Sequence, residues 1–295
     1  MMFADIGWQS NWWEILNTTF MRHAFIAGAL VAIAAGFAGY FVVVRRDAFA
    51  AHALAHIGFP GATGAILVGA PVTLGLSVFC VAGALAIGFL GKDIARREIA
   101  TGTVLAFATA IGVLFNSMAS RSTTGLTNVL FGNLLAVSDG QIVVFVIFTG
   151  ALVFALAVLA RPLLFASVDP DVAEARGLPV KLLGMVFMAI LALAVAMAVQ
   201  VVGTLLLFAL LVTPPATALT ATARPAAVVP GAIGVALGSI WLGLVCSAMF
   251  NLPPSFPIVA LSVLAWAAVT VATRHRRPSI VVEDAHHPHH APALH

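Results

Sequence analysis

Charge is what this sequence has least of: Asp, Glu, Lys and Arg make up only 8% of its 295 residues. A soluble globule of that length needs far more polar surface to cover its core, so a soluble fold is excluded. Cysteine is nearly absent as well. Cys80 and Cys246 each stand inside an apolar run, offer no disulfide framework and no metal-ligand spacing, and read as small buried hydrophobes. None of the eleven acidic residues lies in the middle of an apolar run. Asp47, Asp93, Glu98, Asp139, Asp169, Asp171 and Glu174 fall at run ends or between runs, and the rest in the terminal segments. A proton-coupled carrier needs a buried carboxylate to link proton and substrate, which argues against that class. There is no His-Glu-x-x-His, so an intramembrane metalloprotease would lack its general base. No Gly-x-x-x-x-Gly-Lys-Ser/Thr loop is present, and any ATP must be hydrolysed by another chain.

What is there is apolar: 62% of the residues are hydrophobic and the mean hydropathy is +1.09. The fold class that follows is an all-α polytopic membrane protein. Crossing ~30 Å of hydrocarbon takes roughly 20 residues, and nine apolar runs meet that need, near 24–44, 50–70, 71–90, 99–116, 140–160, 181–199, 201–220, 226–247 and 256–273. The count falls to eight if the stretch from Leu182 to Leu219 is left uncut; at this stage it is divided near Gln200. With the cut, twelve of the fourteen Lys and Arg residues fall in alternate connections, and only Arg22 and Arg121 lie on the other side. That asymmetry puts the N-terminus outside and the C-terminus in the cytoplasm.

Three regions follow: an N-terminal interfacial segment 1–19, a membrane domain 20–274, and a tail 275–295. The first lacks the basic region and cleavage pattern of a signal peptide, and Trp8, Trp12 and Trp13 suit a short interfacial helix. The tail carries His286, His287, His289, His290 and His295, interrupted by Pro288, and reads as a disordered, low-specificity chelator of zinc, nickel or copper. The basic residues stand in short clusters that encode topology rather than a nucleic-acid surface.

The stretch from Arg45 to Gly61 carries the densest chemistry. His52 and His56 are four residues apart, on one face of a helix, and could grip one ion together. Such histidines can also simply hydrogen-bond a neighbouring helix, but ionisable residues inside a membrane lean toward function. Pro60-Gly61 interrupts the helix one turn later and frees carbonyls beside the pair. Between the fifth and sixth runs, Asp169 is a natural N-cap, Pro170 fits the first helical position and Gly177 the C-terminal stop, which predicts a short helix outside the membrane. The opposite long loop, Asn116 to Asp139, could cap a pathway or receive a partner. The four-residue spacings Gly234/Gly238 and Ala84/Gly88 suggest close helix contacts.

Several of these segments together resemble one family. Phe41-Val42-Val43-Val44-Arg45-Arg46 leading to His56 and Pro60-Gly61, Leu130-Phe131-Gly132-Asn133-Leu134-Leu135, Asp169 to Gly177, and Val202-Gly203-Thr204-Leu205-Leu206 leading to Thr213-Pro214-Pro215-Ala216-Thr217-Ala218 are similar to the permeases of family-3 ATP-binding-cassette importers for zinc, manganese or iron. The resemblance implies a type II importer-like permease in a bacterial inner membrane. It also implies a pore made by two permeases, a homodimer here, two cytoplasmic ATPase subunits beneath it, and an extracytoplasmic metal-binding protein that delivers the ion. Asp169, Asp171, Glu174, Ala175, Arg176 and Gly177 would then form the coupling helix, and His56 would occupy the family's histidine before Pro-Gly. Position 52 departs from the acidic residue of many relatives. No resident cofactor is expected. Neutral imidazole suits Zn²⁺ better than the harder Mn²⁺, so zinc is the first expectation for the cargo, manganese or iron the second. The competing readings are an ATP-independent metal channel or carrier, and a membrane scaffold or sensor with a metal-buffering tail; an adjacent ATPase gene would separate them.

Overall fold

The computed structural model describes residues 12–91, 94–118, 132–222 and 224–274. The described residues form helices and one 3-10 turn, with no strand: α1 Trp12–Leu16, α2 Thr19–Val44, α3 Ala48–Val68, α4 Val72–Leu90, α5 Ile94–Met118, the turn Leu134–Ala136, α6 Asp139–Val168, α7 Pro170–Ala175, α8 Val180–Ala221, α9 Pro225–Phe250 and α10 Ser255–Arg274. Eight of these are long and apolar enough to cross a membrane. Helices are what an apolar solvent permits, because each satisfies its own backbone polar groups.

The longest of the eight is two arms, as the division near Gln200 anticipated. Straight, the 42 residues of α8 would reach about 63 Å, twice a bilayer core. Instead Gly203 leaves the helical region at φ 76° and ψ 167°. Gly184 on the first arm lies against Arg45, whereas Leu211 and Pro215 on the second lie against Gly39, near the same end of α2. Ala194, Val195 and Ala198 share one small cavity with Leu207 and Leu211. Residues 184 and 211 would stand about 40 Å apart on a straight helix, so the chain reverses at Gly203 and its nine apolar runs are nine helical arms. The turn is held from outside: Gly132, at φ 69°, brings its backbone against Val201, Val202 and Gly203, and the Asn133 N–H donates to the Val201 carbonyl at 3.1 Å.

Two ends of the bundle can be told apart. One gathers Arg45, Asp47, Arg97, Ser167 and the start of α8. At the other, Thr73 donates to Gln200 Oε1 at 3.0 Å beside the Gly203 reversal, and His23 contacts the Val137 carbonyl at 2.9 Å and Asp139 at 3.0 Å.

Close packing runs through small residues, as membrane helices require. A Cβ at Gly61 would strike the Gly75 backbone and one at Gly39 the Leu211 carbonyl, so α3 meets α4, and α2 meets the second arm of α8, nearly backbone to backbone. The Gly234/Gly238 spacing marks no such contact among the described residues, none of which comes within 4 Å of a Cβ at either position. Two sequence boundaries also move. Helix α3 continues through Pro60 to Val68 rather than stopping there, with Gly112 of α5 leaving room for the ring. Helix α6 continues through Arg161 and Pro162 to Val168, which shortens the connection that precedes α8.

Candidate functional site

Helix α3 holds the two imidazoles where their spacing placed them. His52 and His56 lie on one face with ring centroids 4.7 Å apart and the ring planes at 73°. Both are half-buried on a helix whose other faces are closed by Ala53, Leu54, Ala55 and Ile57. The second arm of α8 brings Phe208 to 4.7 Å from the His52 ring, edge to face at 66°, which packs that imidazole on one side. The His52 Nδ1 is buried and reaches no hydrogen-bond partner among the described residues. Pro60 has no N–H to give the His56 carbonyl, so that backbone oxygen is left as an acceptor beside the pair. One turn on, the Thr63 hydroxyl back-bonds to the Phe59 carbonyl at 3.1 Å and the Pro60 carbonyl at 3.2 Å, leaving the His56 carbonyl unanswered by it.

Among the described residues no three His, Cys, Asp or Glu side chains come together as a metal cage. The site is therefore two imidazoles with nearby carbonyl oxygen, facing partly outward. Such a set binds a divalent ion modestly, which is what a point of passage needs, since a tight site would not release its ion. Residues the sequence left unmarked also contribute. Phe208 stands in a uniformly apolar run and carries no signal of its own. Thr204, marked in the sequence only as part of the resembling segment, lies one turn before it on the same face, fully buried and with its hydroxyl unpartnered among the described residues.

Below α3 the chain places a charge cluster. Asp47 is 2% exposed and accepts from Arg45 Nε at 3.1 Å and from Arg97 Nη1. Arg45 also donates to Ser167 Oγ at 3.2 Å and lies over the Phe187 ring, 5.3 Å from its centroid. Burial pushes the Arg45 guanidinium below its ordinary range, the Asp47 carboxylate pulls it back, and the neighbouring Arg97 lowers it again. The cluster ties the turn between α2 and α3 to α5 and α6, fixing the base from which the histidines rise.

Helix α7 is built as its sequence indicates. The Asp169 carboxylate caps it by accepting from the Val172 N–H at 3.0 Å, with Pro170 in the first turn. At the far end Leu178 N–H reaches the Ala173 carbonyl at 3.0 Å and Gly177 N–H the Glu174 carbonyl at 2.9 Å, a Schellman closure that needs Gly177 at φ 82°. Ala173 anchors the helix, while Asp171, Glu174, Ala175 and Arg176 face outward. The tail histidines His286, His287, His289 and His290, like Trp8 and residues 119–131 of the long loop, lie outside the described residues.

Comparison with known proteins places this arrangement. The model of the ABC 3 transport family matches residues 17–273. The chain belongs to that family. It is a multi-pass membrane permease of the ABC metal-importer type. It is 32% identical over 251 residues to the manganese transport system membrane protein MntC of Listeria monocytogenes, covering 85% of this chain and 89% of that one. It is 34% identical over 206 residues to the manganese import system permease protein ScaB of Streptococcus pneumoniae, covering 68% and 71%. Among solved structures, PsaBC from Streptococcus pneumoniae in complex with Fab superposes on 91% of the chain and 99% of its own, with a TM-score of 0.79 at 26% identity. The ABC 3 permease fold thus carries the histidine pair on α3 and the capped helix α7 at the basic end.

Proposed function

We propose that this permease passes a divalent transition metal ion into the cytoplasm, with His56 and His52 as transient ligands and ATP hydrolysed by a separate subunit. The observation that carries the proposal is the half-buried imidazole pair with one buried, unpartnered nitrogen on a helix at the chain's surface. One chain offers a modest two-imidazole set, and a second copy facing it would complete the walls of a pore, which favours a homodimer. The N-terminus would lie outside and the C-terminus in the cytoplasm, since the basic connections collect at one end of the bundle. An extracytoplasmic metal-binding protein would bring the ion to the other end.

Zinc is the preferred cargo on ligand chemistry, because among the described residues no carboxylate joins the two histidines to suit Mn²⁺. Manganese is the second reading, favoured by the names of the relatives MntC and ScaB. Uptake of radioactive zinc and manganese into ATP-loaded vesicles, each competed with the other, tests both: saturable, ATP-dependent entry of either metal supports the permease, and ATP-independent entry of both contradicts it.

Helix α7 would rest in the ATPase as the coupling helix. Glu174→Lys combined with Arg176→Glu reverses two of its three exposed charges without touching the Asp169 cap or the Gly177 closure. ATPase copurification and uptake should both fall at least about tenfold while the permease stays folded, the loss of about 1.4 kcal/mol of docking energy. Survival of both would remove α7 from the interface.

The tail would capture or sense metal in the cytoplasm without forming part of the pathway. Truncation after Arg277 should leave maximal uptake within about twofold and shift only its dependence on metal concentration. Abolished uptake in a stably inserted truncation would contradict this.

A further inference from the structure

Beside the charge cluster, at the basic end, a cavity of about 330 Å³ opens between the end of α4 and the start of α8. Arg45, Arg97 and Lys181 line it together with Phe89, Met185 and Met188. Its charges do not balance. Asp47 holds Arg45 and Arg97 but does not itself line the cavity, and Lys181 has no ion pair or hydrogen bond among the described residues. Among the described residues that line the cavity or bind those that do, three are cations and one, Asp47, is a carboxylate; Arg45 and Arg97 are partly desolvated and Lys181 stands exposed at the mouth, an arrangement that favours an anion. The first turn of α8 lines the same space, and the positive end of its dipole adds to the field.

The remaining wall does not suit a small soluble anion. It is thioether and aromatic, and Phe89 is 78% exposed toward the surface that would meet the acyl chains. A ligand matching both halves carries a phosphate and an apolar tail. The height agrees, because helix ends lined by Arg and Lys on the cytoplasmic side lie at the level of the anionic headgroups. We propose that this cavity binds the phosphate of an anionic phospholipid, with the phosphate against Arg45, Arg97 and Lys181 and the glycerol and first acyl carbons against Phe89, Met185 and Met188. The bound phosphate shares the guanidinium groups that hold Asp47, so it fixes the turn between α2 and α3 below the histidines. The site does not depend on which metal passes.

The test uses the full chain purified in detergent and titrated with phosphatidylglycerol, with phosphatidylcholine, or with inorganic phosphate, reading bound lipid by native mass spectrometry and thermal stability in parallel. Phosphatidylglycerol should be retained and should raise Tm by several degrees, while phosphatidylcholine and millimolar phosphate should do neither. Lys181→Gln, an exposed position whose exchange spares the fold, should cut phosphatidylglycerol retention about tenfold. Met185→Trp, which fills the apolar half, should do the same with the charges intact. Equal stabilisation by inorganic phosphate would make this a free-anion site and overturn the lipid assignment. Unchanged retention in both variants would show that the lipid binds elsewhere, and retention of phosphatidylcholine as strong as that of phosphatidylglycerol would remove the role of the three cations.

Discussion

Valine in place of Gly203 should abolish the folded permease. The residue sits at φ 76° and ψ 167°, a region that only glycine enters freely, and a β-branched side chain there costs about 1–3 kcal/mol in backbone strain alone. The reversal cannot relax away from that strain, because Gly132 packs its backbone directly on Val201, Val202 and Gly203, and Asn133 is bonded to the Val201 carbonyl. Straightening the turn would drive the second arm of α8 away from α2, whose Gly39 it meets backbone to backbone, and would withdraw Phe208 from His52. Yield of monodisperse protein should collapse, or Tm should drop by 10 °C or more, on the scale of a few degrees per kcal/mol. Gly150→Ala is the control, since it places a Cβ in open space on a regular helix and should leave Tm unchanged within about 2 °C. A Gly203→Val permease as stable as that control would mean that the reversal is not fixed by backbone conformation.

The features readable in advance share a cause: each is written in a short stretch of chain. Asp169, Pro170 and Gly177 specify both ends of α7 through capping that spans a few residues, and the structure forms those bonds. The four-residue spacing of His52 and His56 places both rings on one face of any helix. The length of the Leu182–Leu219 stretch alone demanded a cut, and Gln200 falls three residues from the actual break. The exact place was hidden because a glycine in an apolar run resembles any other until Gly132 arrives from seventy residues away. Contacts between distant segments were not legible for the same reason. Arg45 and Arg97 read as topology signals, and nothing local indicates that both close on a buried Asp47. His23 pairs with Asp139 across more than a hundred residues. Pro60 misled in the other direction, because a membrane helix can run on through a proline whose freed carbonyl is covered by packed neighbours, here α4 against Gly61 and α5 through Gly112 against the ring.

His56→Ala should abolish metal uptake while leaving assembly intact. The side chain is half-buried on the outward face of α3, so truncation removes one ring without opening a hole in the Leu54 and Ile57 core. Of two imidazoles, one would remain, and the freed carbonyl nearby cannot by itself repay the ion's lost hydration. Uptake should fall about a hundredfold or more, a change of roughly 2.7 kcal/mol or above. His52→Asp should behave differently. It exchanges a nitrogen ligand for a carboxylate at the same place, relieves the unpartnered Nδ1, and should preserve uptake while moving preference from zinc toward manganese, because harder ions favour oxygen. The measurement that bears most directly on the whole account is therefore radiometal uptake by wild-type, His56→Ala and His52→Asp permeases in ATP-loaded vesicles, with expression and ATPase binding matched. The account predicts no uptake above background for His56→Ala and retained, manganese-shifted uptake for His52→Asp; wild-type rates for His56→Ala would contradict it and leave the histidine as a packing residue.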